Sequence, residues 1–314
     1  MTDIRTDPAS SLTEPDGILL VDKPAGMTSH DVVYKVRGLF GTRKVGHTGT
    51  LDPLATGVLV VLLGRAAKAS EYVSHDEKSY EAVLRLGMTT DTEDTTGHIL
   101  STVPASRLPS AADVTAVLPA FRGTIMQVPP MYSALKVDGR KLCDIARAGE
   151  SVEREARPVT IRRLEWAPGR LPSDHRLSVT CSGGTYIRTL CADIGARLGV
   201  GGVMASLRRT SAGGFGIERC FTLEALRAMT PEERLSVLLP TESLFSDLPV
   251  LSLSPFNYNL CRNGCELFQK KIGTSFPLGQ RLRLFDPECR FFALGEVIDS
   301  DGQSVVKMIK LFLL

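Results

Sequence analysis

A glycine-rich loop followed by an uninterrupted apolar run most restricts how this chain folds. Residues 46–57 read Gly-His-Thr-Gly-Thr-Leu-Asp-Pro-Leu-Ala-Thr-Gly, and residues 58–63 are all apolar and bounded by glycines. Such a short, bounded run predicts a buried strand, which would fix the end of the loop to the core. Pro53 has a fixed φ and biases Asp52 away from the helical region. The single carboxylate of the loop is therefore held on a constrained backbone.

Three interpretations of this loop are open from its residues alone. A plain turn is the one that local composition favours, because Gly, Thr, Asp and Pro are common turn formers. A phosphate-binding loop is a weaker alternative, since glycine amides form anion nests but the G-x-x-x-x-G-K-[ST] pattern is missing. A catalytic carboxylate at Asp52 is the third interpretation, and it depends on the rest of the chain.

The length and composition predict two folded parts. The chain has 314 residues, more than one compact core usually holds. Its 43% hydrophobic and 23% charged residues are typical of a soluble globular protein. We expect a polar, flexible leader over 1–16, a large domain over 17–240, a linker-like stretch at 240–249 and a small β-rich domain over 250–314.

The sequence predicts a cytoplasmic protein without a membrane span or a metal site. Its apolar runs are far shorter than a span, and the N-terminus lacks the apolar core of a signal peptide. The seven cysteines are scattered without a C-x-x-C pair, so we expect reduced thiols and no zinc. The acidic segment 89–97 lacks the order of ligands that an EF-hand requires.

Periodicity predicts several secondary-structure elements. Residues 79–86 alternate like a half-buried strand, with Tyr80 on the buried face. Helical spacing predicts a helix that places Arg188 away from its apolar stripe, and another helix over 222–239. By composition alone, Arg188 would be a surface charge, and Lys23 with the proline after it a surface turn.

Positive charge is concentrated in one segment. The net charge is only +2, yet residues 136–163 contain eight Lys or Arg against five acids. Together with the prolines at 129 and 130, this composition predicts a basic arm over about 128–157 that leaves the core. Local basic surface on a nearly neutral protein fits a polyanionic partner, although solvated faces also have this character.

The loop at 46–57 closely resembles the catalytic motif of the TruB family of tRNA pseudouridine synthases. Four further segments resemble that family in the same order: residues 22–29 (Asp-Lys-Pro-Ala-Gly-Met-Thr-Ser), 79–80 (Ser-Tyr), 131–136 (Met-Tyr-Ser-Ala-Leu-Lys) and 184–188 (Gly-Thr-Tyr-Ile-Arg). The resemblance implies an α+β fold, with a mixed, mainly antiparallel sheet flanked by helices. It also implies that residues 250–314, whose sequence is divergent, form a PUA-like domain.

The same resemblance implies a reaction, the isomerisation of uridine to pseudouridine at position 55 in the T-loop of tRNA. Asp52 matches the essential aspartate of the family, and it would act either as a nucleophile or as a base. Arg188 matches an arginine that pairs with this aspartate, and a neighbouring cation favours the ionised carboxylate. Tyr80 and Tyr186 match aromatic residues that pack against the target base, and by analogy Tyr80 also helps to remove the C5 proton.

Three more residues are predicted to bind substrate. Leu207 matches an apolar residue that closes the base pocket. His47 matches the residue that inserts into the T-loop and stacks there after the uridine is extruded. Lys23, in one of the matching segments, is the third.

The resemblance also implies the partners. The basic arm would fold over the T-arm of the tRNA, and the PUA-like domain would hold the acceptor end through phosphate contacts. No cofactor, metal or guide RNA is expected, and a monomer is expected.

Three rival functions remain. One is a guide-RNA-dependent rRNA synthase of the same family. Another is an RNA-binding or RNA-folding module in which catalysis is incidental. The last is a glycoside hydrolase, which would need a second placed acid near Asp52.

Overall fold

The computed structural model describes residues 14–73, 77–137 and 139–312. Within these ranges, no helix is both long and apolar enough to cross a membrane. Most of the predicted leader lies outside the described residues. The part that is described, residues 14–16, carries two ion pairs: Glu14 with Lys44 and Asp16 with Arg65.

The described residues form two main sheets and several short helices. The strands, in chain order, are β1 (Gly17–Lys23), β2 (Val45–His47), β3 (Thr56–Leu63), β4 (Lys78–Leu86), β5 (Met88–Thr90), β6 (Ile99–Thr102), β7 (Gly123–Gln127), β8 (Lys136–Val137), β9 (Arg140–Lys141), β10 (Arg157–Pro168), β11 (Asp174–Cys181), β12 (Gly202–Ala212), β13 (Phe215–Gly216), β14 (Val250–Ser252), β15 (Leu267–Phe268), β16 (Arg281–Phe285), β17 (Phe291–Ser300) and β18 (Gln303–Leu311). The α-helices are α1 (Ser29–Phe40), α2 (Ala111–Val117), α3 (Leu142–Arg147), α4 (Ile187–Arg197), α5 (Leu223–Ala228), α6 (Pro231–Ser236), α7 (Pro255–Arg262) and α8 (Gln269–Ile272).

The larger sheet is mixed and mainly antiparallel, as predicted. Its strands follow the order β1-β3-β12-β4-β11-β10-β7, with β2 paired to β3 and β13 paired to β12. β3 and β12 run parallel, whereas the other neighbours along this path are antiparallel. β3 is the predicted apolar strand. It is buried along almost its whole length because it lies between β1 and β12.

The strand β4 confirms the predicted alternation. Tyr80, Ala82, Leu84 and Leu86 share its buried face and join the main core cluster. The helix α4 packs on the same core through its apolar stripe, so β4, β12 and α4 together form a rigid support. Three of the residues predicted to act on substrate lie on this support: Tyr80 on β4, Leu207 on β12 and Arg188 on α4.

The single helix predicted over 222–239 is wrong. The chain instead forms α5 and α6, which are separated at Met229 and Thr230. Thr230 caps α6 through a capping box with Glu233, and Pro231 occupies its first position. A proline is tolerated in the first turn of a helix but not in its interior, so Pro231 begins a new helix. The helical spacing of apolar residues continues through this break, which is why the pattern predicts one helix.

The stretch predicted as a linker is packed between the two parts. Phe245 is only 3% exposed and lies 5.9 Å, ring to ring, from Phe312 of the C-terminal part. Its cluster also contains Ile18 of β1 and Val58 of β3. The C-terminal strands form a second mixed sheet in the order β14-β16-β17-β18-β15. Residues 240–249 thus contribute to a shared core, while the exact domain bounds stay a prediction.

Candidate active site

The loop that carries Asp52 is a turn held by hydrogen bonds from several parts of the chain. The backbone N–H of Ala55 donates to the Asp52 carbonyl at 3.0 Å, and that of Gly26 donates to the Pro53 carbonyl at 2.8 Å. The Ser29 hydroxyl, at the start of α1, accepts from the Leu51 N–H at 2.8 Å. The turn interpretation therefore describes the backbone correctly, and the constraint exceeds what the loop could impose alone.

Lys23 lies beneath this loop and not on the surface. Its side chain is fully buried, and its Nζ donates to the carbonyls of Ala55 at 2.7 Å and Pro24 at 2.8 Å. A longer contact of 3.5 Å reaches the Pro53 carbonyl. The surface-turn interpretation therefore holds for the turn at 25–26 but is wrong for Lys23 itself, which is buried. Lys23 is predicted to bind substrate. Its Nζ instead donates to backbone carbonyls of the loop, and its side chain has no exposed surface that RNA could contact.

Arg209, on β12, supports the loop from the other side. It is 2% exposed, and its Nε donates to the Val58 carbonyl at 2.7 Å while its Nη2 donates to the Gly49 carbonyl at 3.0 Å. The sequence alone gives Arg209 no role of its own, since it is one of two adjacent arginines in a basic stretch. No local pattern separates it from the exposed Arg residues, because its partners lie some 150 positions away in the chain.

The end of the loop requires a glycine at position 57. Gly57 has φ of +102°, and a Cβ there would lie 2.1 Å from the Arg209 carbonyl oxygen. Gly57→Ala is expected to lower the free energy of unfolding by at least about 3 kcal/mol, because backbone strain and a clash against a paired strand act together. Thermal and urea unfolding measure this change. Gly38→Ala is the matched control, since nothing lies within 4 Å of a Cβ in that α1 position. The control should leave stability unchanged or raise it, because alanine is favoured over glycine inside a helix. A Gly57→Ala variant as stable as the control would contradict the close approach.

The burial of Lys23 predicts a pH dependence of stability. Burial lowers its pKa to about 8 from an ordinary value of 10.5, although the charge of Asp52 acts in the opposite direction. As pH rises, the folded protein therefore loses this proton before the unfolded chain does. Between pH 8 and 10.5 the unfolded chain binds more protons. Wild type should gain stability over Lys23→Met in this window, by up to about 1.4 kcal/mol per pH unit.

Denaturant unfolding at several pH values on both sides of pH 8 measures this difference. The exposed Lys270, on α8, provides the matched control Lys270→Met for the loss of a lysine side chain. A difference for Lys23→Met that stays flat, or that decreases with rising pH, would contradict the lowered pKa of the buried Lys23.

The structure brings Asp52 and Arg188 together as a bidentate ion pair. Arg188 Nε donates to one carboxylate oxygen at 2.9 Å and Nη2 to the other at 3.2 Å. The Arg188 side chain is 5% exposed and that of Asp52 is 33% exposed. The arginine is thus buried, contrary to the surface-charge interpretation, while the carboxylate keeps one open side. A planar guanidinium fixes both the position and the rotation of the carboxylate that it binds.

Two backbone carbonyls complete the surroundings of Arg188. Its Nη1 donates to the Thr92 carbonyl at 3.1 Å, and its Nη2 donates to the Tyr132 carbonyl at 2.8 Å. Thr92 belongs to the acidic segment 89–97, where Asp94 accepts from the Thr92 hydroxyl at 2.8 Å and the Thr96 N–H at 2.9 Å. The sequence shows no signal for this role of the segment, which Asp94 closes internally while Glu93 accepts from the Thr189 hydroxyl of α4 at 2.7 Å.

Tyr80 and Leu207 form an apolar wall beside the pair. The two residues lie on neighbouring strands and share a cluster with Leu51 and Ala55 of the loop. Burial raises the pKa of Tyr80, and the charge of Asp52 adds to this rise while Arg209 opposes it. The hydroxyl therefore stays protonated at neutral pH and lies close enough to Asp52 to experience its charge.

Tyr186 lies immediately before α4, the helix that carries Arg188. The buried Gln127 side chain fixes its backbone, because it donates to the Tyr186 carbonyl at 3.0 Å and accepts from the Tyr186 N–H at 2.8 Å. Burial raises the pKa of Tyr186, and the charge of Asp52 contributes to the rise. Gln127 was not predicted as a site residue; a glutamine at the end of a strand gives no signal in the sequence.

His47, at the end of β2, stands apart from this group. Burial lowers its pKa, and the charges that lower it further are those of Arg209 and His30. Its Nδ1 has no hydrogen-bond partner among the described residues. The ring is therefore neutral at pH 7 and is held on the loop by β-sheet pairing with Val61. A neutral ring with an unused polar atom is suited to stacking in a site where bases replace water.

The arrangement as a whole holds one half-open carboxylate close enough to Tyr80 and Tyr186 to interact with both electrostatically. The carboxylate has a fixed orientation, its cation is buried, and the walls are apolar or aromatic. Such a site accepts a flat ring and presents an anion to it at a set position. A planar base attached to a sugar fits this description, and the carboxylate would then face the glycosidic bond that joins the base to the sugar.

Two family models match the chain in succession. The one described as "TruB family pseudouridylate synthase (N terminal domain)" matches residues 37–187. The one described as "tRNA pseudouridylate synthase B C-terminal domain" matches residues 188–246. The site residues Asp52, Tyr80 and Tyr186 fall in the first match, and Arg188 begins the second.

Two bacterial proteins that share the name tRNA pseudouridine synthase B are similar to this chain over nearly its whole length. The tRNA pseudouridine synthase B of Pseudomonas putida is 47% identical over 293 residues, which cover 91% of this chain and 93% of that protein. The protein of the same name from Burkholderia pseudomallei is 43% identical over 290 residues, with coverages of 92% and 88%.

Solved structures of Cbf5 assemblies share the fold. A crystal structure of a Cbf5–Nop10–Gar1 complex matches with a TM-score of 0.71 and 26% identity over 95% of this chain and 85% of that chain. The archaeal box H/ACA sRNP Nop10–Cbf5 complex matches with a TM-score of 0.70 and 25% identity, with coverages of 96% and 88%. These matches confirm the predicted α+β architecture with a β-rich C-terminal part. Family models, relatives and fold agree, and the chain belongs to the TruB family of pseudouridylate synthases.

Proposed function

We propose that this chain converts uridine to pseudouridine at position 55 in the T-loop of tRNA. The observation that carries the proposal is the bidentate Asp52–Arg188 pair, with its carboxylate open on one side and aromatic rings beside it. The relatives named tRNA pseudouridine synthase B support tRNA as the substrate. Such a reaction belongs in the cytoplasm, where tRNA is processed in bacteria.

The reaction exchanges one bond between base and sugar for another. The N1–C1′ bond breaks, the uracil turns within the pocket, and C5 bonds to C1′. C5 then loses its proton and N1 gains one, so the product is an isomer of the substrate. Asp52 supplies the carboxylate that drives this exchange, either by attacking the substrate or by taking a proton. Arg188 holds the carboxylate in a fixed orientation in both routes.

The surrounding residues handle the base. Tyr186 and Tyr80 enclose the flat ring of the uracil, and Leu207 closes the apolar side. The uridine reaches this pocket only after leaving its stack, which costs a few kcal/mol. His47 stacks in the space that the uridine leaves, because a neutral imidazole offers a flat face to neighbouring bases. Lys23 acts indirectly, as a positioning residue under the loop.

The rest of the chain holds the RNA. The arm over about 128–157 carries α3 and the β8–β9 hairpin, and it reaches the site through the Tyr132 carbonyl. Its Lys and Arg side chains face the T-arm phosphates. The PUA-like domain over 250–314 contacts the acceptor end of the same tRNA, and a monomer suffices for both contacts.

Mapping of pseudouridine in an unmodified tRNA transcript tests the proposal. Purified protein alone should produce one pseudouridine, at position 55, without an added guide RNA. Conversion that requires an added guide RNA would favour a guide-dependent enzyme. This outcome is tested because the fold is shared with the Cbf5 assemblies. Free uracil among the products would favour a hydrolase. An intact T-loop uridine after long incubation would exclude the proposed activity.

A further inference from the structure

A groove outside the candidate active site has the side chains of an RNA-binding surface. It has a volume of about 640 Å³ and lies between α1 and the loop that precedes β2. Tyr34, which is 74% exposed, forms one side, and Lys35, Arg37 and Arg43 supply positive charge around it. An exposed aromatic ring beside cations is the combination that single-stranded nucleic acids bind, because bases stack on the ring while phosphates meet the charges.

The charge of this groove is only partly offset by the protein. The described residues that line it include no carboxylate. Asp31, one turn earlier on α1, has its carboxylate engaged by Thr28 in the capping box of the helix, and its charge also acts on Lys35, which leaves the groove with a net positive charge. A neighbouring groove differs in this respect, because its Lys44 and Arg65 are paired with Glu14 and Asp16. Of the two grooves, the one beside Tyr34 is therefore the one that attracts an anion.

The groove also has a defined shape before any ligand arrives. Arg37 Nη2 donates to the Val45 carbonyl at 3.3 Å, which holds this side chain against the start of β2. The inner face of α1 packs on the core through Val32, Val33 and Val36, so the helix that carries Tyr34 is fixed. A surface with fixed aromatic and cationic groups loses little conformational entropy on binding.

The groove is continuous with the proposed T-loop site. Arg43 precedes His47 by four residues of mostly extended chain, or about 13 Å at ~3.3 Å per residue. On the other side, His30 acts electrostatically on His47, and Tyr34 follows His30 by one helical turn. β2 thus leads from the groove to His47, and the loop after it leads to Asp52. A T-loop seated over His47 and Asp52 leaves the groove to other nucleotides.

We propose that this groove binds a single-stranded loop of the same tRNA that lies outside the T-arm. One base of that loop stacks on Tyr34, and its phosphates contact Lys35 and Arg43. The inference rests on the proposed function, since it takes tRNA as the substrate. It adds a second contact region that distinguishes a complete tRNA from its isolated T-arm.

Comparison of Tyr34→Ala on two substrates tests this inference. With an unmodified full-length tRNA, kcat/KM and affinity should fall by about 5- to 150-fold, the range for loss of one stacked base. With an isolated T-arm hairpin, both should equal wild type within twofold. Tyr34→Phe keeps the ring and should behave as wild type on both substrates. The exposed position of Tyr34 leaves the melting temperature of each variant unchanged.

The outcomes separate this inference from the proposed function. Pseudouridine formation by wild type on either substrate tests the proposed function by itself. Equal losses of Tyr34→Ala on both substrates would overturn the inference, because the contact would then lie in the T-arm. Unchanged kinetics and affinity on full-length tRNA would also overturn it, and would leave the groove to a protein partner.

Discussion

Asp52→Asn should lose at least about 10⁴-fold in the rate of pseudouridine formation while its tRNA affinity changes by only a few-fold. Removal of a catalytic carboxylate or nucleophile costs this much when the remaining site is intact. The amide keeps the shape of the carboxylate and still accepts from Arg188 with its oxygen, so the pocket and the RNA contacts persist. It has neither the charge nor the basicity that the reaction needs. Release of tritium from tRNA with 5-tritiated uridine measures the rate, and filter binding measures the affinity.

The pair of Asp174 and Arg85 offers a matched control. Asp174 is also a bidentate partner of an arginine, at 2.7 and 3.0 Å, but it lies between β4 and β11 away from the loop. Asp174→Asn should therefore keep wild-type activity at temperatures where it remains folded. Tritium release by Asp52→Asn above about a thousandth of the wild-type rate would remove the assignment of Asp52. An RNA-folding module, the rival function, would retain its main role in this variant.

Arg188→Lys should lose about 10²- to 10³-fold in kcat and also some stability. A lysine retains the charge but presents one compact ammonium, so it does not bind both carboxylate oxygens and two carbonyls in one plane. The carboxylate of Asp52 is then free to rotate, and small misplacements of a catalytic group cost about 10²-fold. Loss of a donor for the Thr92 or Tyr132 carbonyl costs about 1–3 kcal/mol for each buried acceptor.

The measurements for this variant are single-turnover kinetics and thermal unfolding. Arg197→Lys is the matched control, because Arg197 lies on the same helix but is exposed. It should change neither property. If Arg188→Lys retained wild-type kcat, bidentate orientation of Asp52 would have no catalytic value. If its activity fell with no change in stability, the buried carbonyls would have found other donors.

The predictable part of the fold came from local patterns. Alternation identified β4 and the face of Tyr80, and the apolar run identified β3, because one buried face leaves a period of two in the sequence. Thr230 followed by Pro231 is a sequence signal for the start of a new helix, and it marks the break between α5 and α6. The helical spacing of the apolar residues on both sides outweighed this signal in the prediction. Phe245 was read as part of a linker because nothing near it in sequence shows that it packs against distant phenylalanines.

The site was predictable only where a resemblance supplied it. Asp52, Arg188 and the two tyrosines come together as the family motif implied. Lys23 and Arg209 show why local chemistry fell short: each is a buried cation whose partners are backbone carbonyls. Charged residues are usually exposed. Every residue has a backbone carbonyl, so the sequence does not show which carbonyls accept a hydrogen bond from a buried cation. The supporting role of such residues follows from the fold alone.

The three residues that accept hydrogen bonds from Arg188 differ in how many substitutions they tolerate without loss of that bond. Asp52 binds through both oxygens of its side chain, so every replacement that lacks a carboxylate loses at least one of the two hydrogen bonds. Thr92 and Tyr132 bind through their main-chain carbonyls, and a carbonyl is present in every amino acid. Drift at these two positions therefore leaves the guanidinium satisfied as long as the backbone keeps its path. Homologues with other residues at 92 and 132 are consequently compatible with the same catalytic geometry, and insertions that displace the backbone are not.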